Sequence, residues 1–157
     1  MRCVQGIAAR ISLPWLALTI IMVALIWGNS LVPGTGSSGL SLSVMETVHG
    51  TLRALGLPYE WLTNFIVRKT AHFTEYAVLG VLASQARDPQ HAASPRAIGF
   101  AALVCVLVPS IDETIQLFVS GRTGQVTDVL LDCCGAATGI LVRSLVVRLR
   151  TRGAMRP

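Results

Sequence analysis

Four long apolar runs dominate this chain, and the last three carry ionisable side chains inside them or at their edges. The runs lie near residues 12–28, 68–86, 95–119 and 126–147. About 20 apolar residues suffice for a helix to cross the hydrocarbon core of a bilayer. In lipid, backbone polar groups must be satisfied within the structure, and runs of this length satisfy them as helices. The sequence therefore predicts an all-α fold: a polytopic membrane protein with four transmembrane helices and an interfacial helical segment between the first and second. A single membrane domain covers residues 1–157.

Composition supports this. The chain is 52% hydrophobic and 13% charged, about half the charged fraction of a typical soluble domain. The net charge of +5 comes largely from arginines at the two ends, and aromatics make up 6%. No basic stripe with interleaved aromatics is available to stack bases, so nucleic acid is not an expected partner. Cys3, Cys105, Cys133 and Cys134 lack zinc-motif spacing with partner histidines and read as small buried hydrophobes. Arg2 and Arg10 precede the first run, as in a signal peptide. That run exceeds a signal core of about 7–15 residues, and no Ala-x-Ala site follows, so a retained helix is expected.

The spans carry their own punctuation. Pro14 fits a first helical turn, and Trp15 and Trp27 fit the two membrane interfaces. Pro109 is expected to kink the third span. The small-residue stretch 135–139 permits close helix contact, used here for internal packing. The long first connection opens as a flexible Gly/Ser stretch over residues 33–39. An amphipathic helix follows, with capping-box spacing at Ser43 and Glu46, an apolar face of Val44, Val48, Leu52 and Leu55, and a stop at Gly56. This helix and residues 58–65 are expected at the membrane surface. Residues 120–125 form a tight Gly-punctuated turn.

Arginine placement orients the spans. Arg2 and Arg10, then Arg87 and Arg96 beside Asp88 and His91, then Arg143, Arg148, Arg150, Arg152 and Arg156 all fall on one side of a four-span bundle. By the positive-inside rule that side is cytoplasmic, with both termini inside.

Topology then gathers the polar residues at the opposite, outward end. Arg68, Lys69, His72, Glu75 and Tyr76 occupy the first turns of the second span. Asp112, Glu113 and Gln116 end the third, Arg122 lies in the turn, and Asp128 and Asp132 begin the fourth. Asp112 and Gln116 share a face, as do Asp128 and Asp132. Ionisable groups at membrane depth are costly and mark functional sites by default. A carboxylate beside His72 can act as a base, and a second acid can protonate a leaving group, which makes His72, Glu75, Asp112 and Glu113 the catalytic candidates. Arg68, Lys69 and Arg122 can clamp a phosphate or pyrophosphate. With Tyr76, Gln116 and Asp128 they form the substrate-binding set. His72, Glu75 and an Asp could hold a metal, but HxxE spacing alone does not carry that reading; no metal ligand or cofactor is assigned. No HExxH, GxSxG or phosphate-loop motif is present.

These residues carry a family resemblance. Arg68, Lys69, His72, Phe73, Glu75, Tyr76, Leu79 and Gly80 resemble the RKxxHFxEYxxLG hallmark of the VanZ-like family. Asp112, Glu113, Gln116, Phe118, Gly121 and Arg122 resemble its DExxQxFxxGR hallmark. Asp128, Val129 and Gly135 resemble a third, DvxxNxxG, with Asp132 where Asn is usual. The likeness spans roughly Trp15 to Val147. It implies a small multi-span bacterial membrane protein, and the namesake's association with teicoplanin resistance implies an envelope role.

The sequence thus points to a bacterial cytoplasmic-membrane protein. Its expected partners are membrane lipids, including an anionic envelope lipid or head-group intermediate that it binds or modifies at an outward-facing polar pocket, with an effect on glycopeptide susceptibility. Two other classes stay open: a small transporter or proton-coupled carrier, and a non-catalytic accessory protein whose ion pairs hold helices together. Oligomeric state does not follow from the sequence.

Overall fold

The computed structural model describes residues 11–89 and 95–154. Arg2, Cys3, Arg10, His91 and Arg156 lie outside the described residues. Five helices follow one another: α1 (Leu13–Ser30), α2 (Gly34–Ala54), α3 (Asn64–Arg87), α4 (Pro95–Gln116) and α5 (Val126–Ala154). α1, α4 and α5 each contain a stretch long and apolar enough to cross a membrane. Exposed leucine, isoleucine and valine side chains line these three, including Ile20, Leu25, Leu103, Leu107, Leu141 and Leu145. Such a belt suits lipid contact, and the chain is a multi-pass membrane protein.

α3 is as long as the others but too polar to meet the same criterion. Its position explains how it can be. It packs most extensively against α5 and also against α1, α4 and α2. Tyr76, Leu79, Ala83, Ser84 and Ala86 on α3 are buried. The core combines Ile26, Tyr76, Leu79, Cys105, Val108 and Ala136. Thr63 caps α3, its side chain accepting from the Ile66 amide at 3.3 Å.

α3 and α5 run in the same direction and meet backbone to backbone. A Cβ built on Gly135, Gly139 or Gly80 would collide with the carbonyl of Phe73, Ala77 or Ala136, respectively. The small-residue stretch of α5 thus serves internal packing, as its spacing suggested.

Pro109 sits inside α4. A proline has no N–H to offer the carbonyl four residues earlier, and that carbonyl, on Cys105, instead accepts from Cys133 Sγ on α5 at 3.3 Å. The neighbouring Val108 carbonyl accepts from Trp27 Nε1 at 3.3 Å. Trp27 therefore turns into the bundle rather than toward the interface expected for it.

The stretch 33–39 differs from expectation. It is helical, and α2 starts at Gly34 rather than near Ser43. The Gly34 amide donates to the Ser120 carbonyl at 3.0 Å, which anchors that start to the α4–α5 turn. Ser43 lies mid-helix, its carbonyl accepting from Thr47 Oγ1 at 2.8 Å, so it caps nothing. The stop at Gly56 is as expected. At φ +68° this residue takes the left-handed conformation that ends helices, and the Gly56 and Leu57 amides close back onto Arg53 and Leu52. Leu40, Val44, Val48 and Leu55 on α2 are exposed.

Arg143 also departs from its expected place among the anchoring charges. It is buried, donates to Gln85 Oε1 at 2.6 Å, and donates to the Asp88 carbonyl.

The α3–α5 contact leaves no room for a side chain at its glycines. Gly139→Val should lower stability in detergent by at least about 1–3 kcal/mol, whereas Gly28→Ala, whose Cβ would meet nothing within 4 Å, should leave it unchanged or higher. Equal thermal midpoints for the two variants would show that the close contact is not formed.

Candidate functional site: a polar cleft above a buried carboxylate cluster

One end of the bundle collects the C-terminus of α1, the start of α2, the start of α3, the end of α4, the turn and the start of α5. The polar residues singled out in the sequence gather there in two layers.

The upper layer is a cleft of ≈ 220 Å³. Asn64, Arg68, Lys69 and His72 line it from α3, and Thr123, Gln125 and Asp128 from the turn and α5. Lys69 Nζ is ion-paired with Asp128 Oδ1 and lies 5.2 Å from the centroid of the Phe65 ring. Arg68 is half-buried and, among the described residues, makes no hydrogen bond or ion pair. The N-termini of α3 and α5 both reach this cleft, and helix N-termini favour anions.

The lower layer is carboxylate-rich. Asp112 and Asp132 are fully buried, and Glu113 and Gln116 nearly so. The Gln116 amide Nε2 reaches Asp112 Oδ2 at 3.1 Å, Glu113 Oε1 at 3.3 Å and Ser30 Oγ at 3.4 Å. Glu113 Oε2 accepts the Gln125 amide at 2.7 Å, which ties α4 to the start of α5. His72 Nδ1 lies 3.7 Å from Asp132 Oδ1, too far for a hydrogen bond. His72 Nδ1, Asp112 Oδ1, both Asp132 carboxylate oxygens and Tyr76 OH are buried without a hydrogen-bond partner. One donor atom from each of His72, Asp112, Glu113 and Asp132 falls within 4.8 Å of the others, so this group has the proximity a metal ion needs.

Two residues stand apart from these layers. Glu75 is half-buried and makes no hydrogen bond or ion pair among the described residues. It is absent from the His72 group, so the metal-capable set differs from the HxxE pair of the sequence. Arg122 is buried with its guanidinium turned to α1. Its Nη2 donates to the Asn29 carbonyl at 2.7 Å and its Nε to the Val32 carbonyl at 3.0 Å. These carbonyls lie in the last turn of α1 and just past its end, where a cation also complements the helix dipole. Burial, then the charge of Arg68, lowers the Arg122 pKa from its ordinary value; a guanidinium remains charged regardless. Gly121 before it, at φ +73°, gives the turn its left-handed step.

Asp132, Ser30, Asn64, Phe65, Thr123 and Gln125 are site residues that the sequence-derived set left out. Asp132 had a signal, its four-residue spacing from Asp128 within an apolar run. Ser30 had none, because its role comes from contact with Gln116 on another helix, and no spacing in the sequence marked Asn64.

Arg122→Ala should reduce stability by on the order of 2–3 kcal/mol, because it strips two charge-assisted hydrogen bonds from the end of α1. Arg122→Lys should recover little, since an ammonium lacks the fork that reaches both carbonyls. Unfolding in detergent followed by circular dichroism checks this, and an unchanged transition in Arg122→Ala would refute the capping role.

No curated protein and no solved structure matches the chain. The VanZ/LLP1 family model matches residues 15–147. That range includes both layers of the site, all of α2, α3 and α4, and all but the outer ends of α1 and α5. The chain belongs to the VanZ/LLP1 family.

Proposed function

We propose that this protein binds the anionic, phosphate-bearing head of an envelope lipid or head-group intermediate in the cleft, from the outer face of the bacterial cytoplasmic membrane. The observation that carries this reading is Arg68, a half-buried cation without an acidic partner among the described residues, in a cleft flanked by two helix N-termini. A guanidinium binds phosphate through two parallel hydrogen bonds. Lys69 adds charge while held by Asp128.

In this reading α3 is the fourth span. Its 24 residues measure about 36 Å at 1.5 Å per residue, enough to cross the bilayer. Its charges are tolerated because they cluster at one end and are sheltered by α1, α4 and α5. Arg148, Arg150 and Arg152 lie toward the opposite end of α5, and by the positive-inside rule they support a cytoplasmic side for that end and for both termini.

His72 lines the cleft and also faces the buried carboxylates, so with its Nδ1 free it is the proton-transfer group for a reaction on a bound head group. Asp112 and Glu113 lie beneath it, and Glu75 follows one turn along α3. An envelope head group as ligand also accounts for the altered glycopeptide susceptibility that the family resemblance implies.

One observation favours binding over conduction. Between the upper site and the Gln85–Arg143 contact, α3 and α5 contribute buried Leu79, Ala83 and Ala136. This apolar layer interrupts the polar groups at the two ends.

Native mass spectrometry of the purified chain, offered phosphatidylglycerol, a polyprenyl phosphate and phosphatidylethanolamine, tests the reading. The wild type should retain the two anionic lipids preferentially. Arg68→Gln should weaken that retention roughly tenfold or more, as expected for loss of a charge-assisted contact. Equal retention in Arg68→Gln would exclude the cleft as the head-group site.

A further inference from the structure

We propose that His72, Asp112, Glu113 and Asp132 form a binding site for one divalent first-row transition-metal cation beneath the cleft. Their four donor atoms come from three helices and lie within 4.8 Å of one another. Imidazole and carboxylate donors sit about 2.0–2.2 Å from such an ion, so two donors of one ion are separated by roughly 3–4.4 Å. The observed spread closes to that range with small side-chain adjustments. The 3.7 Å between His72 Nδ1 and Asp132 Oδ1 is too long for a hydrogen bond and fits two ligands of one ion.

The second, independent observation is the absence of any other partner for the atoms that face each other. Asp112 and Asp132 are fully buried, yet Asp112 Oδ1, both Asp132 oxygens and His72 Nδ1 make no hydrogen bond. Of the cations nearby, Lys69 is engaged with Asp128 and Arg122 with the carbonyls of α1, and Arg68 makes no ion pair with these carboxylates among the described residues. One proton shared between Asp112 and Asp132 would give a partner to two of these four atoms and leave the other Asp132 oxygen and His72 Nδ1 without one. A dication supplies the missing charge and the missing partners at once.

The remaining atoms are already held as an outer shell would hold them. Gln116 Nε2 takes Asp112 Oδ2 and Glu113 Oε1, and the Gln125 amide takes Glu113 Oε2. Such contacts orient ligands and are common around metal sites. His72 is the ligand that also lines the cleft, which gives an ion a route from the surface. One imidazole with three carboxylates suits Mn2+ or Zn2+ better than the all-oxygen preference of Ca2+ or Mg2+.

This inference stands apart from the head-group reading, and its test uses no lipid ligand. The full chain in detergent is stripped with EDTA, desalted and titrated with Mn2+ while the free-ion electron paramagnetic resonance signal is followed. Zn2+ is then added as competitor. The expected result is one saturable Mn2+ equivalent that Zn2+ displaces, weakened by at least roughly tenfold in Asp132→Asn and in Asp112→Asn, with Glu46→Gln behaving as wild type. Asp132 holds no hydrogen bond, so Asp132→Asn breaks none, and it decides the matter if Asp112→Asn does not fold. Failure of the wild type to take up one equivalent overturns the proposal. So does unaltered binding in Asp132→Asn, and so does equal weakening by Asp128→Asn, which would place the ion in the cleft instead.

Discussion

The backbone-to-backbone contact between α3 and α5 is the constraint on which the rest depends. Gly80, Gly135 and Gly139 leave no side chain between the two helices, so carbonyl and Cα surfaces touch directly. The same parallel register sets Lys69 beside Asp128, His72 beside Asp132 and Arg143 beside Gln85. A wider separation would lose all three pairings together. It would also uncover α3, a long helix whose polar residues disqualify it as an independent apolar span. Close packing of small residues is therefore what allows a polar helix into the bundle, and a polar helix is what supplies most of the site.

Within that frame the charged residues divide into two roles. Arg122 fastens the end of α1, Arg143 joins α5 to the end of α3, and Lys69 with Asp128 joins the first turns of α3 and α5. These contacts hold helices. Arg68 above, and His72, Asp112 and Asp132 below, present groups that the protein itself does not satisfy. Unsatisfied polar groups in a bundle this well pinned carry a cost that stability alone does not explain. The head-group and cation readings both start from that asymmetry. They also complement each other, because an anionic head in the cleft would lie above a cation site reached past His72.

Much of this was readable in the sequence. Alternating span directions put the polar ends of three runs together whatever the details of packing, so the membership of Lys69, His72, Asp112, Gln116 and Asp128 followed from topology. The stretch 135–139 likewise announced a close contact. What the sequence did not carry was depth and partner. Asp128 and Asp132 share a helical face, but the crossing of α3 over α5 leaves one at the cleft and the other fully buried. Arg122 reads as an anion clamp until α1 is placed beside it. The stretch 33–39 reads as flexible because Gly and Ser have poor helix propensity, and a tertiary bond from Gly34 to Ser120 anchors its start. Trp27 reads as an interface residue until α4 is placed beside it, with the Val108 carbonyl in reach of its Nε1. Each miss involves a contact between segments distant in sequence.

The central claim is that the buried carboxylates are kept for a ligand and not for holding the bundle together. The thermal stability of metal-free Asp132→Asn, measured in detergent against metal-free wild type, tests it most directly. Neither Asp132 oxygen makes a hydrogen bond, so removing its charge removes a burial cost and no hydrogen bond. The account predicts a midpoint equal to or above that of the wild type. A midpoint several degrees below it would contradict the account and make Asp132 a structural member of the bundle.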